Sequence, residues 1–407
     1  MKTIFEPFNL SGTALKNRIV MAPLTRARAT REVADERTAL YYTQRATAGL
    51  IVSEGTSISR EGTGYLFNPG IYTPEQVAGW RLTTNSVHAA GGKIFAQLWH
   101  VGRVSHPSIQ DDGKAPVSAS SKRAVNAKAF AYDANGKPNS VDTPTPRQLE
   151  TQEVRRIVQD FARAAENAMK AGFDGVEIHG ANGYLFEQFM NPLVNDRSDC
   201  YSANNIANRL RFTLEVIDAV AGRIGVERVG IRISPYGKLF DMPFYPTIDA
   251  TYTELCREIG KRKLAYVHVM NQSGYSRLDN ALEPEAESRF MDLLRLMKGH
   301  LPHTALTLAG GMSRELAEEL IDDDVIDLVA FGAAFISNPD LVARLQNDWP
   351  LSPANPATFY GGGAEGYVDY APTFHLEGNR GARCRGYRTR QTSRLHLPGR
   401  DPGHGQE

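Results

Sequence analysis

The sequence predicts a single (β/α)8 barrel. Eight short runs, rich in Val and Ile and apolar at nearly every position, alternate along residues 1–373 with amphipathic helical patterns. Strands that are apolar on both faces are typical of a parallel sheet covered by helices. Eight strand–helix units can close into a ring that has no exposed edge. A doubly wound open sheet is the alternative.

The chain order of these elements follows from the apolar runs and from helix-end signals. The predicted strands are Asn17–Pro23, Leu50–Gly55, Lys93–His100, Gly175–Gly180, Arg228–Pro235, Leu264–Met270, Ala305–Gly310 and Ile326–Gly332. One apolar stripe from Val154 to Met169 predicts a helix, and Gly172 follows where a capping glycine belongs. A second helix is predicted to begin at Thr73, with Pro74 in its first turn and Gln76 at its third position.

One long segment interrupts this pattern after the third strand. Residues Gly102–Leu149 are polar, rich in proline and far longer than an ordinary strand–helix loop. Active sites of barrels lie at the carboxyl ends of the strands, so we expect this insertion to form a lid over the site. A surface loop without function is the alternative.

The charge of the chain is divided unevenly. The 407 residues contain 46 basic and 46 acidic side chains, which argues against a whole-protein role on nucleic acid or membrane surfaces. Residues 374–407, however, carry seven arginines and only three acidic residues, with no apolar period. We therefore predict a barrel domain over 1–373 and a disordered, Arg/Gly-rich tail over 374–407. A nucleic-acid-binding arm is the alternative for the tail.

Cysteine spacing and hydropathy indicate the compartment. Cys200, Cys256 and Cys384 are odd in number, lie far apart and form no CxxC pair, so neither disulfides nor a metal site is expected. No run of about 18 apolar residues and no signal-peptide pattern is present. The sequence predicts a soluble, cytoplasmic protein without a membrane or nucleic-acid partner.

On the barrel prediction, the strand ends bring a distinctive set of polar groups to one mouth. These groups are the neutral side chains of Thr25, Gln97 and Asn182, the cation of Arg232, and the rings of His179 and Tyr184. Amides suit the edge of a heterocycle, a cation suits developing negative charge, and glycine-rich turns suit a phosphate. Arg232 as a structural ion pair and His179 as a core histidine remain alternatives.

A glycine-rich segment near the end of the barrel matches a nucleotide-binding pattern in letters only. Gly361–Gly366 reads G-x-G-x-x-G, but no strand precedes it and no helix start follows. The context of a dinucleotide fold is therefore missing. We interpret this segment as a flexible loop.

Several motifs together resemble the Old Yellow Enzyme family of FMN-dependent ene-reductases, which are (β/α)8 barrels. The resemblance extends from Phe5 to Pro372. Within the family, the sequence most resembles the branch of the bacterial N-ethylmaleimide and pentaerythritol tetranitrate reductases. It rests on Lys16–Thr25, Gln97–Arg103, Gly172–Tyr184, Asn338–Gln346 and Phe359–Tyr367.

The resemblance implies roles for individual residues. It assigns the following to FMN: Pro23, Leu24, Thr25, Gly55 and Gln97 at the ring edge, Arg232 near N1 and O2, and Gly310, Gly311, Gly332 and Ala333 near the phosphate. His179 and Asn182 would bind the oxygen of the substrate, and Tyr184 would protonate its α carbon. Tyr65, Trp99 and Tyr360 would form aromatic walls of the substrate pocket, with ordinary packing as the alternative.

The implied activity is NADPH- or NADH-dependent reduction of the C=C bond in α,β-unsaturated carbonyl or nitro compounds. Nicotinamide and the activated alkene would use the same pocket in turn. Reduction of nitrate esters or nitroaromatics is one alternative, and a barrel that has lost its cofactor and only binds is another. The sequence leaves open the nicotinamide preference and the choice between monomer and homodimer.

The chain departs from the family pattern at three places. Ala333 stands where an arginine usually meets the FMN phosphate, which predicts weaker FMN binding. In Asp199–Asn204, Ser202 and Ala203 replace two glycines, so we expect this loop to be rebuilt. The segment 271–276 after the sixth strand also lacks the usual pattern.

Overall fold

A computed structural model describes residues 2–272 and 284–372, without the side chains of residues 284–287. The described residues belong to one compact unit that extends to Pro372. The tail predicted over 374–407 lies outside the described residues, and so do residues 273–283. Both the disorder of the tail and the domain boundary at 373 remain predictions.

Eight parallel strands form a closed ring, which confirms the predicted (β/α)8 barrel and excludes the open sheet. The strands are β1 Ile19–Met21, β2 Leu50–Val52, β3 Ile94–Trp99, β4 Gly175–His179, β5 Val229–Ile233, β6 Tyr266–Met270, β7 Ala305–Ala309 and β8 Leu328–Phe331. Each strand pairs with the next, β8 pairs with β1, and β4 pairs with β3 as well as β5. Every predicted strand contains an observed one, trimmed at its ends.

A helix follows each strand on the outside of the ring. These helices are α1 Glu36–Thr43, α2 Pro74–Ala89, α3 Thr151–Lys170, α4 Ile206–Ile224, α5 Ile248–Arg262, α6 Pro284–Gly299, α7 Arg314–Asp322 and α8 Leu341–Gln346. Thr73 and Gln76 form the predicted capping box of α2, and Gly172 has a positive φ after α3. Two further helices, Leu185–Met190 and Ala333–Ser337, follow β4 and β8 directly. Within the described residues, no helix has the length and apolar character needed to cross a membrane.

Large aromatic side chains fill the inner face of the ring, and a glycine leaves space for them. The rings of Phe95 and Tyr266 meet inside it with centroids 5.9 Å apart. Gly230 makes room for them, because a Cβ at this position would lie 2.4 Å from the Tyr266 ring. An amino-terminal hairpin, Phe8–Leu10 with Thr13–Leu15, packs leucines into the same cluster and covers that end of the barrel.

The insertion after β3 contains more regular structure than its sequence indicated. Lys128–Tyr132 and Pro138–Asp142 pair as an antiparallel hairpin. The hairpin lies beside Tyr65, which forms a β-bridge with Phe130, and the amide of Leu66 donates to the carbonyl of Phe130 at 2.8 Å. The hairpin therefore contacts the segment that carries a predicted pocket residue, which agrees with a lid, although closure itself remains a prediction.

The packing inside the ring predicts opposite effects for two Gly→Ala substitutions. Gly230→Ala should lower the free energy of unfolding by about 1–3 kcal/mol, because the new methyl group overpacks the Tyr266 ring. Gly222→Ala is the matched control, because Gly222 lies exposed in α4 with open space around it and should gain up to about 1 kcal/mol. Urea unfolding followed by circular dichroism measures both. Equal stability of the two variants would contradict this account of the barrel interior.

Candidate active site

The carboxyl ends of the strands bring His179, Arg232 and His268 next to one another. In the strand register His179 lies opposite Arg232, and Arg232 lies opposite His268. All three side chains are buried, and the Arg232 guanidinium contacts the sulfur of Met270 at 3.2 Å. The predicted convergence of His179 and Arg232 is therefore observed.

A buried carboxylate that the sequence analysis missed lies directly below them. Glu177 accepts hydrogen bonds from Gln97 Nε2 at 2.8 Å, Tyr266 Oη at 3.0 Å and His268 Nδ1 at 2.8 Å. Burial alone would raise the pKa of Glu177, but the neighbouring His268, Arg232 and Gln97 outweigh it and hold the pKa below its usual value. The sequence did contain a signal for Glu177. It lies in β4 two residues before His179, so the two side chains are on the same face of the strand.

This carboxylate determines what Gln97 offers to a ligand. Because one N–H of the Gln97 amide donates to Glu177, the orientation of the amide is fixed, and its carbonyl oxygen and second N–H remain for another partner. The Gln97 side chain is buried on the inner face of β3, next to β4. Gln97 therefore presents a hydrogen-bond acceptor of fixed orientation.

Four of the predicted site residues form one aromatic cluster around Trp99. The Trp99 ring stacks on Tyr65 and His179, with centroids 5.4 and 5.7 Å away, and meets Tyr184 edge to face at 4.9 Å. The hydroxyls of Tyr65 and Tyr184 are 3.1 Å apart. Gly55 permits this arrangement, because a Cβ there would lie 2.3 Å from the Trp99 ring.

His179 is a neutral imidazole with an assignable tautomer. Its pKa is well below the usual range because the ring is buried, and the charges of Arg232 and His268 lower it further. Its Nδ1 accepts a hydrogen bond from the amide of Ala181 at 3.4 Å. The proton of the neutral ring therefore lies on Nε2, which makes His179 a hydrogen-bond donor through that atom.

The loop that carries Asn182 is held from below by Glu187, a second residue that the sequence analysis missed. Asn182 has φ +59°, and its amide donates to Ser234 Oγ at 2.7 Å. The Glu187 carboxylate accepts from Ser234 Oγ at 2.7 Å, from the amide of Gly183 at 2.6 Å and from Tyr252 Oη at 2.9 Å. Burial raises the pKa of Glu187 to about 7. In the sequence, only the clustering of polar residues after β4 indicated that this loop has hydrogen-bond partners.

The residues predicted to bind the cofactor surround the same mouth. Pro23, Leu24 and Thr25 follow β1 and are half-buried. Gly310 and Gly311 follow β7 with φ of +104° and +66°, and a Cβ on Gly310 would strike the carbonyl oxygen of Asn271 at 2.0 Å. This turn accordingly requires glycine, and it presents its backbone at the mouth.

Gly332 and Ala333 lie at the start of the short helix that follows β8. A Cβ on Gly332 would meet Leu24 Cδ2 at 3.5 Å, an ordinary contact, so no steric requirement for glycine exists there. The Ala333 side chain is exposed. The position at which the sequence analysis expected an arginine is therefore open to solvent.

The segment Gly361–Gly366 is tied to the barrel by two arginines, unlike the flexible loop that its sequence indicated. Arg26 donates to the carbonyl of Gly366 at 2.7 Å, and Arg28 donates to that of Gly363 at 3.1 Å. Tyr360, predicted as a pocket wall, is 49% exposed beside this segment. It does not belong to the stacked cluster around Trp99 in the described residues.

The departure at Asp199–Asn204 is accommodated without unusual backbone. Ser202 and Ala203 are buried, and neither has a positive φ. Asp199 is held by Arg197 and by the hydroxyl of Thr151, with Thr151 Oγ1 2.6 Å from the carboxylate. The segment supports the outer helices and contributes no side chain to the aromatic cluster described above.

Comparison with known proteins places the chain in a family. A family model described as NADH:flavin oxidoreductase / NADH oxidase matches residues 3–352. A putative 12-oxophytodienoate reductase 11 of Oryza sativa subsp. japonica is 39% identical over 372 residues, covering 90% of this chain and 96% of the relative. The 12-oxophytodienoate reductase 2 of Arabidopsis thaliana is 40% identical over 370 residues, covering 90% and 95%.

Solved structures agree with this placement. Morphinone reductase in complex with tetrahydroNAD superposes with a TM-score of 0.87 at 41% identity, covering 93% of this chain and 100% of that structure. The resemblance to the Old Yellow Enzyme family is confirmed, while the bacterial branch named above remains a prediction. The chain belongs to the NADH:flavin oxidoreductase / NADH oxidase family, whose relatives share both its barrel and nearly its full described length.

Proposed function

We propose that this protein uses FMN and NADPH or NADH to reduce the C=C bond of α,β-unsaturated carbonyl or nitro compounds. The observation that carries the proposal is the gathering of three groups at one mouth. These are His179 with its Nε2–H, the side-chain amide of Asn182 whose oxygen is occupied by Gln272, and the Tyr184 ring with its centroid 5.1 Å from that of His179. Its partner in this proposal is a small-molecule substrate, with no nucleic acid or membrane involved. We also propose that the enzyme is cytoplasmic and is a monomer or homodimer.

The residues at the mouth fit FMN. Gln97 offers an acceptor oxygen for an N–H of the ring, and Arg232 offers a cation for its pyrimidine edge. The Gly310–Gly311 turn offers backbone donors suited to a phosphate. Pro23, Leu24, Thr25 and Gly55 would line the ring. When bound, FMN supplies the hydride that is added to the alkene carbon β to the activating group.

His179 and Asn182 would stabilise the charge that this addition creates. Negative charge develops on the carbonyl or nitro oxygen of the substrate, so hydrogen bonds to that oxygen strengthen in the transition state. The neutral state of His179 suits this task, because its Nε2–H donates without a change in protonation. Both donors are preorganised, His179 by its contact with Ala181 and the Asn182 side chain by Gln272, while Ser234 holds the Asn182 backbone.

Tyr184 would complete the reaction by giving a proton to the α carbon. Its hydroxyl is 3.1 Å from that of Tyr65, which can accept or donate as the proton moves. Trp99 holds the Tyr184 ring edge to face and stacks on His179, so the acid and one oxygen donor share a support. Tyr65 and Trp99 would form pocket walls, with Tyr360 at the exposed entrance.

The comparisons support the two substrates of the proposal. Relatives named 12-oxophytodienoate reductases cover at least 90% of this chain. Morphinone reductase has been solved with tetrahydroNAD, which supports a nicotinamide as the reductant of the present chain. For this chain we propose the two corresponding classes of substrate, an activated alkene and a nicotinamide reductant.

Absorption spectra of the purified protein test the proposal. We expect a flavin band near ~450 nm that bleaches anaerobically with NADPH or NADH and returns on addition of 2-cyclohexenone. Return with a nitrate ester but not with the enone would favour nitrate ester reduction. A colourless protein that FMN does not reconstitute would favour a barrel that only binds.

The oxygen donor His179 can be tested by comparing two half-reactions. His179→Ala should lower the rate of enone reduction about 100-fold, the effect of losing one donor to a developing oxyanion. Flavin reduction by the nicotinamide should change much less. His303→Ala, at an exposed site before β7, is the control. Stopped-flow spectroscopy measures both steps, and equal losses in the two would instead place His179 in flavin or nicotinamide binding.

Ala333 predicts an incomplete phosphate site. Ala333→Arg should tighten FMN binding about 10- to 150-fold, because a charge-assisted hydrogen bond contributes about 1.5–3 kcal/mol. Ala333→Leu is the control for side-chain size without charge, and it should leave the affinity unchanged. Fluorescence titration of the apoprotein with FMN measures both dissociation constants. An unchanged constant in the arginine variant would show that another group already neutralises the phosphate.

A further inference from the structure

A chain of side-chain amides extends from the loop after β5 to Asn182. Gln272 lies two residues after β6 and is buried. Its Oε1 accepts from the backbone amides of Lys238 at 2.8 Å and Leu239 at 3.3 Å. Only the oxygen of an amide can accept two N–H groups, so these contacts define which end of the Gln272 amide is oxygen.

The opposite end of Gln272 fixes the orientation of Asn182. Gln272 Nε2 donates to Asn182 Oδ1 at 3.2 Å. With its oxygen occupied in this way, Asn182 has its Nδ2 left as the group for a ligand. The Asn182 backbone is held separately, by its hydrogen bond to Ser234 Oγ. Backbone and side chain are therefore oriented by different elements of the barrel.

We propose that Gln272 is a positioning residue that makes Asn182 a hydrogen-bond donor toward the substrate. The inference rests on the proposed function, because it concerns the oxygen of the activated alkene. It deepens that function by naming the preferred ligand chemistry, which is a group that only accepts hydrogen bonds, such as a ketone or nitro group.

A single substitution separates orientation from mere support. In Gln272→Glu, one carboxylate oxygen still accepts from the backbone of Lys238 and Leu239, but the other can no longer donate to Asn182. Asn182 then satisfies the carboxylate by turning its Nδ2 toward it, which turns its Oδ1 toward the ligand. A ketone loses its donor, whereas a carboxamide, which carries both a donor and an acceptor, binds either orientation.

The experiment measures binding to the oxidised, FMN-loaded protein with two probes that have no reducible C=C bond. These are cyclohexanone and cyclohexanecarboxamide, titrated by the perturbation of flavin absorbance. In Gln272→Glu we expect cyclohexanone to bind about 10-fold more weakly and the carboxamide to change by less than about 2-fold. Gln272→Met, which removes the contact without imposing the opposite one, should give an intermediate ketone effect.

Flavin content and thermal unfolding of each variant establish that it has folded. Equal losses for both probes would overturn the proposal, because a purely structural role weakens any ligand. Unchanged affinity for both would overturn it as well, since Asn182 would then be oriented by other groups. A wild-type protein that binds both probes but fails to reduce 2-cyclohexenone would overturn the proposed function alone, and the probe selectivity would still decide the role of Gln272.

Discussion

The hydrogen-bonded ladder between β3 and β4 is one of the eight that close the barrel, and the orientation of the polar groups in the site depends on it. The pairing of Gly175–Ile178 with Phe95–Leu98 sets Glu177 opposite Gln97. Once the ring is closed, alternate residues of each strand face a dry interior. Glu177 is on that face and is fully buried, so it requires donors from the protein. Gln97, Tyr266 and His268 supply these donors. The hydrogen bond to Glu177 thereby orients the side-chain amide of Gln97 at the mouth of the barrel.

The loop after β4 uses a second buried carboxylate in a comparable way. Glu187 gathers hydrogen bonds from Gly183, Ser234 and Tyr252, which belong to the loop, the end of β5 and α5. Asn182 can therefore keep a positive φ, a conformation that a free loop would relax. Sites held by such outer contacts keep their reacting groups within the narrow tolerances that catalysis needs. The two carboxylates thus lie one layer beneath the residues that we propose meet the substrate.

The strands and the main helices could be predicted because their signals are local. Apolar runs identify buried parallel strands, and the residues from Thr73 to Gln76 identify a helix start without reference to the rest of the chain. The buried polar residues could not be predicted in the same way. Glu177 forms a hydrogen bond with His268, which lies 91 positions away in the chain. Arg26 donates a hydrogen bond to the carbonyl of Gly366, 340 positions away. Their partners become evident only once the ring has closed. The hairpin inside the insertion was missed because Lys128–Tyr132 has no Val or Ile and alternates between buried and more exposed residues, while Pro138–Asp142 is mostly polar and exposed. Neither strand has the continuous Val- and Ile-rich run on which the strand predictions relied.

The two ends of the proposed FMN site differ in how they are built. The ring end combines a buried cation, an oriented amide and an aromatic wall, and each of these is fixed by neighbours on the strands. The phosphate end depends on backbone donors of the Gly310–Gly311 turn, next to the exposed methyl group of Ala333. Arg232 cannot substitute there, because the strand register fixes it between His179 and His268 inside the ring. Affinity for the cofactor would therefore come mainly from the ring, where the same contacts also stabilise the reduced, anionic state. On the proposed function, the departure at Ala333 would weaken retention of the cofactor and leave the groups that govern its chemistry in place.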